Sequence, residues 1–524
     1  MARRRASGKQ GRLSVVNRLY NGENLAVLRG GDINPETVDL IYLDPPFNSN
    51  QDYNMIFKER SGLSPAVQKE AFKDTWEWNQ SAMNAFHDTL DSAPSMVVQR
   101  MLAFRSMIGE NNTMLAYLSM MAPRLVEMWK VLTPTGSIYL HCDPTASHYL
   151  KLLMDAVFGA EHFQNEIVWC YNVGGKSKKR WARKHDVILF YSKSSEWHFD
   201  GKAAGIPRET GTKSFGGKLG VDKDGRPYQD KLVKATGKYY RYYLDEPKIP
   251  EDWWLINSLQ SQDAERIGWP TQKPEALLER IIKASSKEGD VVLDPFCGCG
   301  TAVDVAQRLD RRWIGIDHSR FATDVIEQRL EDSYGPGIKK TYEFIAKPVT
   351  VEDARKLKGM PFEWWAVERA GAQPSTKRGG SDSGIDGRIY FREYSGAGKI
   401  EAKQVVISVK SGKTFPAHVR ELRGVIERED AAIGVLIVMN KPTPDMNKEA
   451  AKAGRYYSET WEVSYPRLQI ITVDDLMKDK PFDYPGRLPA VAEKAAAQVR
   501  RGKGTQQKGP VAKKPAATKR RRTT

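Results

Sequence analysis

The sequence predicts an α/β protein: an open, mostly parallel twisted sheet, a smaller α/β unit behind it, and a basic tail. Three observations predict this. Short apolar, β-rich runs alternate with amphipathic helical stretches through residues 14–345. The alternation restarts over 348–484. From 485 to 524 the Ala, Lys, Gly and Arg composition cannot supply a core and reads as disordered.

The elements follow in order. VDLIYL (38–43) is an apolar run ended by Asp44 and two prolines, a buried strand and its loop. Residues 97–131 are long, amphipathic and rich in Met and Leu, which predicts helix and core packing. GSIYLHCD (136–143) is a strand, ASHYLKLLMDAVFG (146–159) a helix, and NEIVWCYN (165–172) and DVILFYS (186–192) two more strands. Residues 195–265 hold much Gly, Lys, Asp and Tyr with little periodicity, which predicts a loop-rich insert with a few short strands. Helix, strand-and-turn, helix and strand then follow at 274–286, 291–301, 302–310 and 312–319. In the second unit, IEAKQVVISVKSG, AAIGVLIVMN and LQIITVDDL are strand-like, with helices between.

Composition narrows the function. The chain has 524 residues, enough for about three domains and a sizeable core. No apolar run reaches membrane-spanning length, and the basic start MARRRASGKQGR has no apolar stretch behind it. Four cysteines are too few for a disulfide framework and fit a reducing, cytoplasmic compartment. Cys297 and Cys299 lack further ligands at zinc spacing and read as small turn residues. The formal charge is +16, of which residues 1–12 carry +5 and 491–524 carry +10. Such arms reward contact with phosphates through counterion release, which points to nucleic acid and a nucleoid location.

Two constellations carry chemistry. In LDPFCGCGT (293–301), glycines after a strand admit a ligand close to backbone, and no Gly-Lys-Ser/Thr follows to grip phosphate. Asp317 ends the next strand, where an acid can accept from ribose hydroxyls. In YLDPPFNSN (42–50), a carboxylate, two stiff prolines and an aromatic share a strand end. Asp44 and a carbonyl held by Pro45 and Pro46 could accept both N–H groups of an exocyclic amine, with Phe47 stacked on the base. A base reached in this way must be flipped out of the duplex.

LDPPFNSN, then PTQKPEALLERII, then LDPFCGCGT, in that order, resembles the β group of DNA amino-methyltransferases over residues 14–330. The resemblance implies a Rossmann-like sheet, S-adenosylmethionine as donor, double-stranded DNA as substrate and a homodimer. It implies catalytic roles for Asp44, Pro45, Pro46 and Phe47. Asp294, Phe296, Gly298, Gly300, Thr301 and Asp317 match the donor-binding turn and the acid on the donor ribose. Thr271, Gln272, Lys273 and Pro274 match the segment beside the donor's methionine part. YNGENLAVL (20–28) matches a stretch near the donor adenine, with Glu23 where Asp is usual. The family's recognition insert falls on 195–265, where KYYRYY (238–243) suits phosphate contact and base readout. Asp before Pro-Pro favours adenine N6 over cytosine N4.

PFEWW, GGSDSGIDGRIYF, VVISVKSGK and GVLIVMN, in that order, resemble Mrr-like restriction endonucleases over 355–478. That resemblance implies Mg²⁺ on Asp386 and Glu363, with Lys410 as the nuclease lysine. Ser408 departs from the Gln or Glu usual two residues before the lysine, which leaves a retired fold used for DNA binding or dimerisation as the competing reading. The tail generates the first prediction: deleting 491–524 weakens DNA binding and flattens its salt dependence, checked by titrating a duplex over a salt series.

Overall fold

A computed structural model of the chain describes residues 17–46, 51–56, 68–74, 76–110, 112–172, 178–207, 218–348, 350–357, 359–374, 384–394, 400–478, 480 and 482–485. The basic arm expected at 1–13, Phe47, residues 208–217 of the insert and the tail from 486 lie outside the described residues.

The larger sheet has nine strands: β1 (Asn17–Asn21), β2 (Val38–Leu43), β3 (Leu132–Cys142), β4 (Phe163–Cys170), β5 (His185–Ser192), β6 (Trp253–Leu255), β7 (Val291–Asp294), β8 (Arg312–Asp317) and β9 (Tyr342–Ala346). Their order is β6-β4-β5-β3-β2-β7-β8-β1-β9. β5 runs antiparallel to β3 and β4, and every other neighbouring pair is parallel. The sheet is open, as the alternation predicts.

Helices cover both faces. On one lie α1 (Asn24–Arg29), α2 (Gln80–Ser92), α3 (Ser95–Ile108), α4 (Thr113–Val131) and α5 (Ser147–Phe158). On the other lie α6 (Glu275–Ser285), α7 (Thr301–Arg308) and α8 (Arg320–Tyr334). The pleat explains why β2 is apolar along its length. Ile41 and Leu43 enter the first core, while Leu40 and Tyr42 enter the second. The methionines of α4 do pack in the first core, with Met121 and Met128 fully buried.

Two expectations change in detail. The 97–131 stretch is two helices, because Gly109 takes φ +84° after α3 and the Asn112 side chain accepts from Met114 N at 2.8 Å to start α4. The insert builds a three-stranded antiparallel ribbon over Lys218–Val221, Pro227–Val233 and Lys238–Tyr243, then returns to the large sheet as the edge strand β6.

After β9 come α9 (Val351–Lys356) and α10 (Met360–Arg369), then a second sheet: β10 (Gln373–Pro374), β11 (Gly387–Tyr394), β12 (Ile400–Lys410), β13 (Ile433–Val438) and β14 (Leu468–Thr472), in that order across it. This sheet has its own cores on its two faces. It leans on the first unit through β11. Tyr390 N donates to Asn84 Oδ1 at 2.8 Å, its ring stacks on His87 at 4.9 Å, and its hydroxyl bonds Asp91.

Beneath α1 lies a buried ion cluster. Arg29 is 2% exposed and donates to Asp88 at 2.7 Å and Glu127 at 3.2 Å. Burial alone would lower the guanidinium's pKa, and the two carboxylates more than reverse this. Arg29→Met would leave buried Asp88 without its cation and Glu127 with Lys130 alone, so we expect a loss of about 3–5 kcal/mol of stability, read as a lower urea midpoint.

Candidate active site

Parallel strands deliver their carboxyl ends to one edge of the sheet, so the loops after β2, β7 and β8 meet there. Asp44 follows β2, Asp294 ends β7 and Asp317 ends β8. Between them opens a cleft of about 760 Å³, within the usual range for a small-molecule site. Asp44, Pro45, Pro46, Glu23, Thr271, Gln272 and Lys273 line it, as do Asp294, Phe296, Gly298, Thr301 and Asp317. The structure thus gathers residues separated by up to 294 positions, from Glu23 to Asp317.

The turn after β7 is shaped by two glycines. Gly298 takes φ +49°, and its N–H donates to Asp317 Oδ2 at 2.9 Å. Gly300 is placed differently from the other expected donor residues. It sits behind the cleft wall as the left-handed N-cap of α7, where an added Cβ would lie 2.8 Å from Ile326 Cγ1. Cys297 and Cys299 are buried in the same turn, and burial pushes both thiols up, as expected of packing residues.

The acids differ in their surroundings. Burial pushes the Asp294 carboxyl well up, although one oxygen accepts from Phe296 N at 3.0 Å. Burial also raises Asp317, which accepts from Gly298 N and from Ser319 N at 2.8 Å. Glu23 caps α1 by accepting from Ala26 N at 2.9 Å, and pairs with Arg124. Burial would raise Glu23, but Arg124 and the backbone donors hold it below its ordinary value.

Asp44 is set apart by its two oxygens. Oδ2 accepts from Lys273 Nζ, whereas Oδ1 is buried and has no hydrogen-bond partner among the described residues. His141 Nδ1 lies 3.8 Å from Oδ1 and 3.0 Å from the Tyr42 hydroxyl. His141 Nε2 reaches Asp186 Oδ2 at 3.2 Å, and Asp186 also accepts from the Tyr171 hydroxyl at 3.2 Å. Burial would raise Asp186, but His141, together with Lys273 and Tyr171, holds it below its ordinary value.

Sequence reasoning missed this relay and the position of Lys273. It also missed Trp269, which lines the cleft and stacks on Phe321 at 5.8 Å. The available signals were weak: an acid or histidine at a strand end in GSIYLHCD and DVILFYS, and an aromatic just before Thr271. Pro274 N-caps α6, and Gln272 is engaged with the Glu265 carbonyl at 2.6 Å and Ile267 N at 3.0 Å.

The residues expected to hold metal lie in the second unit. Asp386 precedes β11 and accepts from Val409 N at 2.6 Å, while Lys410 ends β12 and Glu363 lies on α10. Ser408 is buried between them in sequence at 4% exposure. Among the described residues, no group of three or more His, Cys, Asp or Glu could hold a metal ion.

Comparison with known proteins follows the same division. Residues 38–328 match the model of the N6/N4 DNA methylase family, and 365–475 that of a restriction endonuclease family. The chain is 30% identical over 219 residues to the Type II methyltransferase M.HpaI of Haemophilus parainfluenzae, a stretch covering 42% of this chain and 60% of that one. It is 26% identical over 373 residues to the Type II methyltransferase M.EcaI of Enterobacter cloacae, covering 63% and 72%. It is 27% identical over 301 residues to the DNA adenine methyltransferase YhdJ of Escherichia coli strain K12, covering 57% and 77%. Because the methylase match takes in more than half of the sequence and contains the strand ends bearing Asp44, Asp294 and Asp317, the chain belongs to the N6/N4 DNA methylase family, with a restriction-endonuclease domain joined behind it.

Proposed function

We propose that the protein transfers a methyl group from S-adenosylmethionine to the exocyclic N6 of a flipped-out adenine in double-stranded DNA. The observation that carries this reading is Asp44 Oδ1, a buried acceptor at the cleft that has no hydrogen-bond partner among the described residues. A buried polar atom left unsatisfied is costly, and an amino N–H would satisfy it. Accepting that N–H draws the nitrogen lone pair out of its delocalisation into the ring. Lys273, on Oδ2, holds the carboxylate so that Oδ1 is the oxygen offered. Pro45 and Pro46 stiffen the backbone beside it, so that positioning supplies much of the rate.

The donor would supply a methyl group on a sulfonium, a good leaving group. The residues present fit it. The cleft volume suffices, Asp317 and Glu23 offer carboxylates, and Trp269 and Phe296 offer apolar walls. Adenine is supported over cytosine by Asp, in place of Ser, before Pro45, and by the likeness to an enzyme named as a DNA adenine methyltransferase. The homodimer and the placing of target recognition in 195–265 belong to the same proposal, as do the domain limits 14–345 and 348–484.

A second reading adds cleavage of DNA by the endonuclease domain, and the match over 365–475 favours it. The described residues do not assemble a group of three or more His, Cys, Asp or Glu there.

Two experiments test these readings. With labelled S-adenosylmethionine and unmethylated genomic DNA, nucleoside digestion is expected to place the label in N6-methyladenine; label in N4-methylcytosine alone would reject the adenine assignment. In the same assay Asp44→Ala lowers transfer at least about 100-fold and leaves donor binding within a few-fold. If the domain cuts, that DNA is fragmented in Mg²⁺ by the wild type and left intact by Lys410→Ala. Intact DNA with both proteins rejects the second reading.

A further inference from the structure

The segment between β4 and β5 has no assigned role. Residues 178–184, KKRWARK, hold five basic side chains and no acid. Their central aromatic, Trp181, is 96% exposed. Indole is a large apolar surface to leave in water, and one held out on a cationic loop suggests a partner that stacks and carries negative charge. Arg180 and Arg183, on either side, are exposed as well.

The register puts the base of this segment at the sheet edge that bears the cleft. β2 pairs Leu43 with Leu140 of β3, and β3 pairs Cys142 with Val187 of β5. The ends of β2, β3 and β4 and the start of β5 therefore share one sheet edge. The base of the loop is firmly closed there: Cys170 faces His185, and Tyr171 N donates to Lys184 O at 3.1 Å. Lys184 Nζ donates to Asn172 O at 2.6 Å, and Asn172 bonds Asn257 at 3.1 Å. Both arms connect to Asp44. Tyr171 and His141 both bond Asp186, and His141 sits beside Asp44 Oδ1. A rigid base next to the expected reacting centre thus carries an exposed aromatic tip.

We propose that residues 178–184 are a duplex-DNA wedge. Trp181 enters the base stack in the space left by the flipped-out base, and Arg180 and Arg183 hold flanking phosphates. The inference rests on the methyltransferase reading, which requires a base to leave the stack. Flipping sacrifices stacking and pairing, and an aromatic ring that fills the gap returns part of that loss. Guanidinium groups on the backbone fix where the ring enters without reading sequence.

The test uses the full chain and a short duplex carrying the site that it methylates in cells. Trp181→Ala is expected to slow methyl transfer into this duplex about tenfold or more. A duplex with an abasic site opposite the target adenine, where flipping sacrifices little, restores the variant to within about twofold of the wild type. Trp181→Phe keeps most of the rate on both. In equilibrium binding, Arg180→Ala/Arg183→Ala reduces the salt slope by about 2, and Trp181→Ala leaves the slope unchanged. An equal loss on both duplexes, or no loss with Trp181→Ala, overturns the wedge. An unchanged salt slope in the arginine variant overturns the phosphate contacts. A wild-type protein that binds duplex but moves no methyl group into any DNA counts against the methyltransferase reading instead, and the salt slope still decides whether this loop touches DNA.

Discussion

Parallel pairing of β2 with β7, and of β7 with β8, is the constraint on which the site depends. Leu293 of β7 lies between Ile41 of β2 and Ile314 of β8, so the three strands end together. Their next residues, or their last, are acids. Each strand is buried on both faces by the two helical layers, and the edge is the place where polar side chains can meet a ligand. Had β7 run antiparallel, Asp294 would sit at the opposite end of the sheet from Asp44. The cleft is thus a consequence of strand direction before it is a consequence of any single side chain.

Within that cleft the acids are kept distinct by their partners. Asp294 is buried and Asp317 half-buried; both accept from backbone N–H groups, and burial pushes both upward. Asp44 has a lysine on one oxygen and a histidine near the other. Glu23 is neutralised by Arg124 and held low. Four carboxylates within one cavity therefore offer three kinds of environment, which is how one site can bind and orient with acidic side chains throughout. The relay through His141 to Asp186 extends the influence of Asp44 to the next strand pair, and from there to the loop that bears Trp181.

The endonuclease domain is packed against the methylase rather than tethered to it. Tyr390 sits on α2 with two kinds of contact, hydrogen bonds and a ring stack, and Lys347 pairs with Glu368 of α10. Burial pushes the Glu368 carboxyl up, and its pairing with Lys347 opposes that rise without cancelling it.

The sequence by itself determined the α/β class, the positions of most strands and helices, and the acids at strand ends, because apolar β-rich runs and helical apolar patterns are local. It also placed Asp44, Asp294 and Asp317 together through the order of three motifs. It did not reveal that Lys273 reaches Asp44, that His141 and Asp186 stand behind it, or that Gly300 shapes a helix start against Ile326 instead of lining the cleft. Those contacts join residues on different strands, and no local pattern encodes which loops share an edge. The break at Gly109 and the return of the insert as β6 were hidden for a related reason. A positive φ and an edge pairing are chosen by what the rest of the fold leaves room for. Chain-local chemistry named the acids, and tertiary structure decided which oxygen of Asp44 is left to accept.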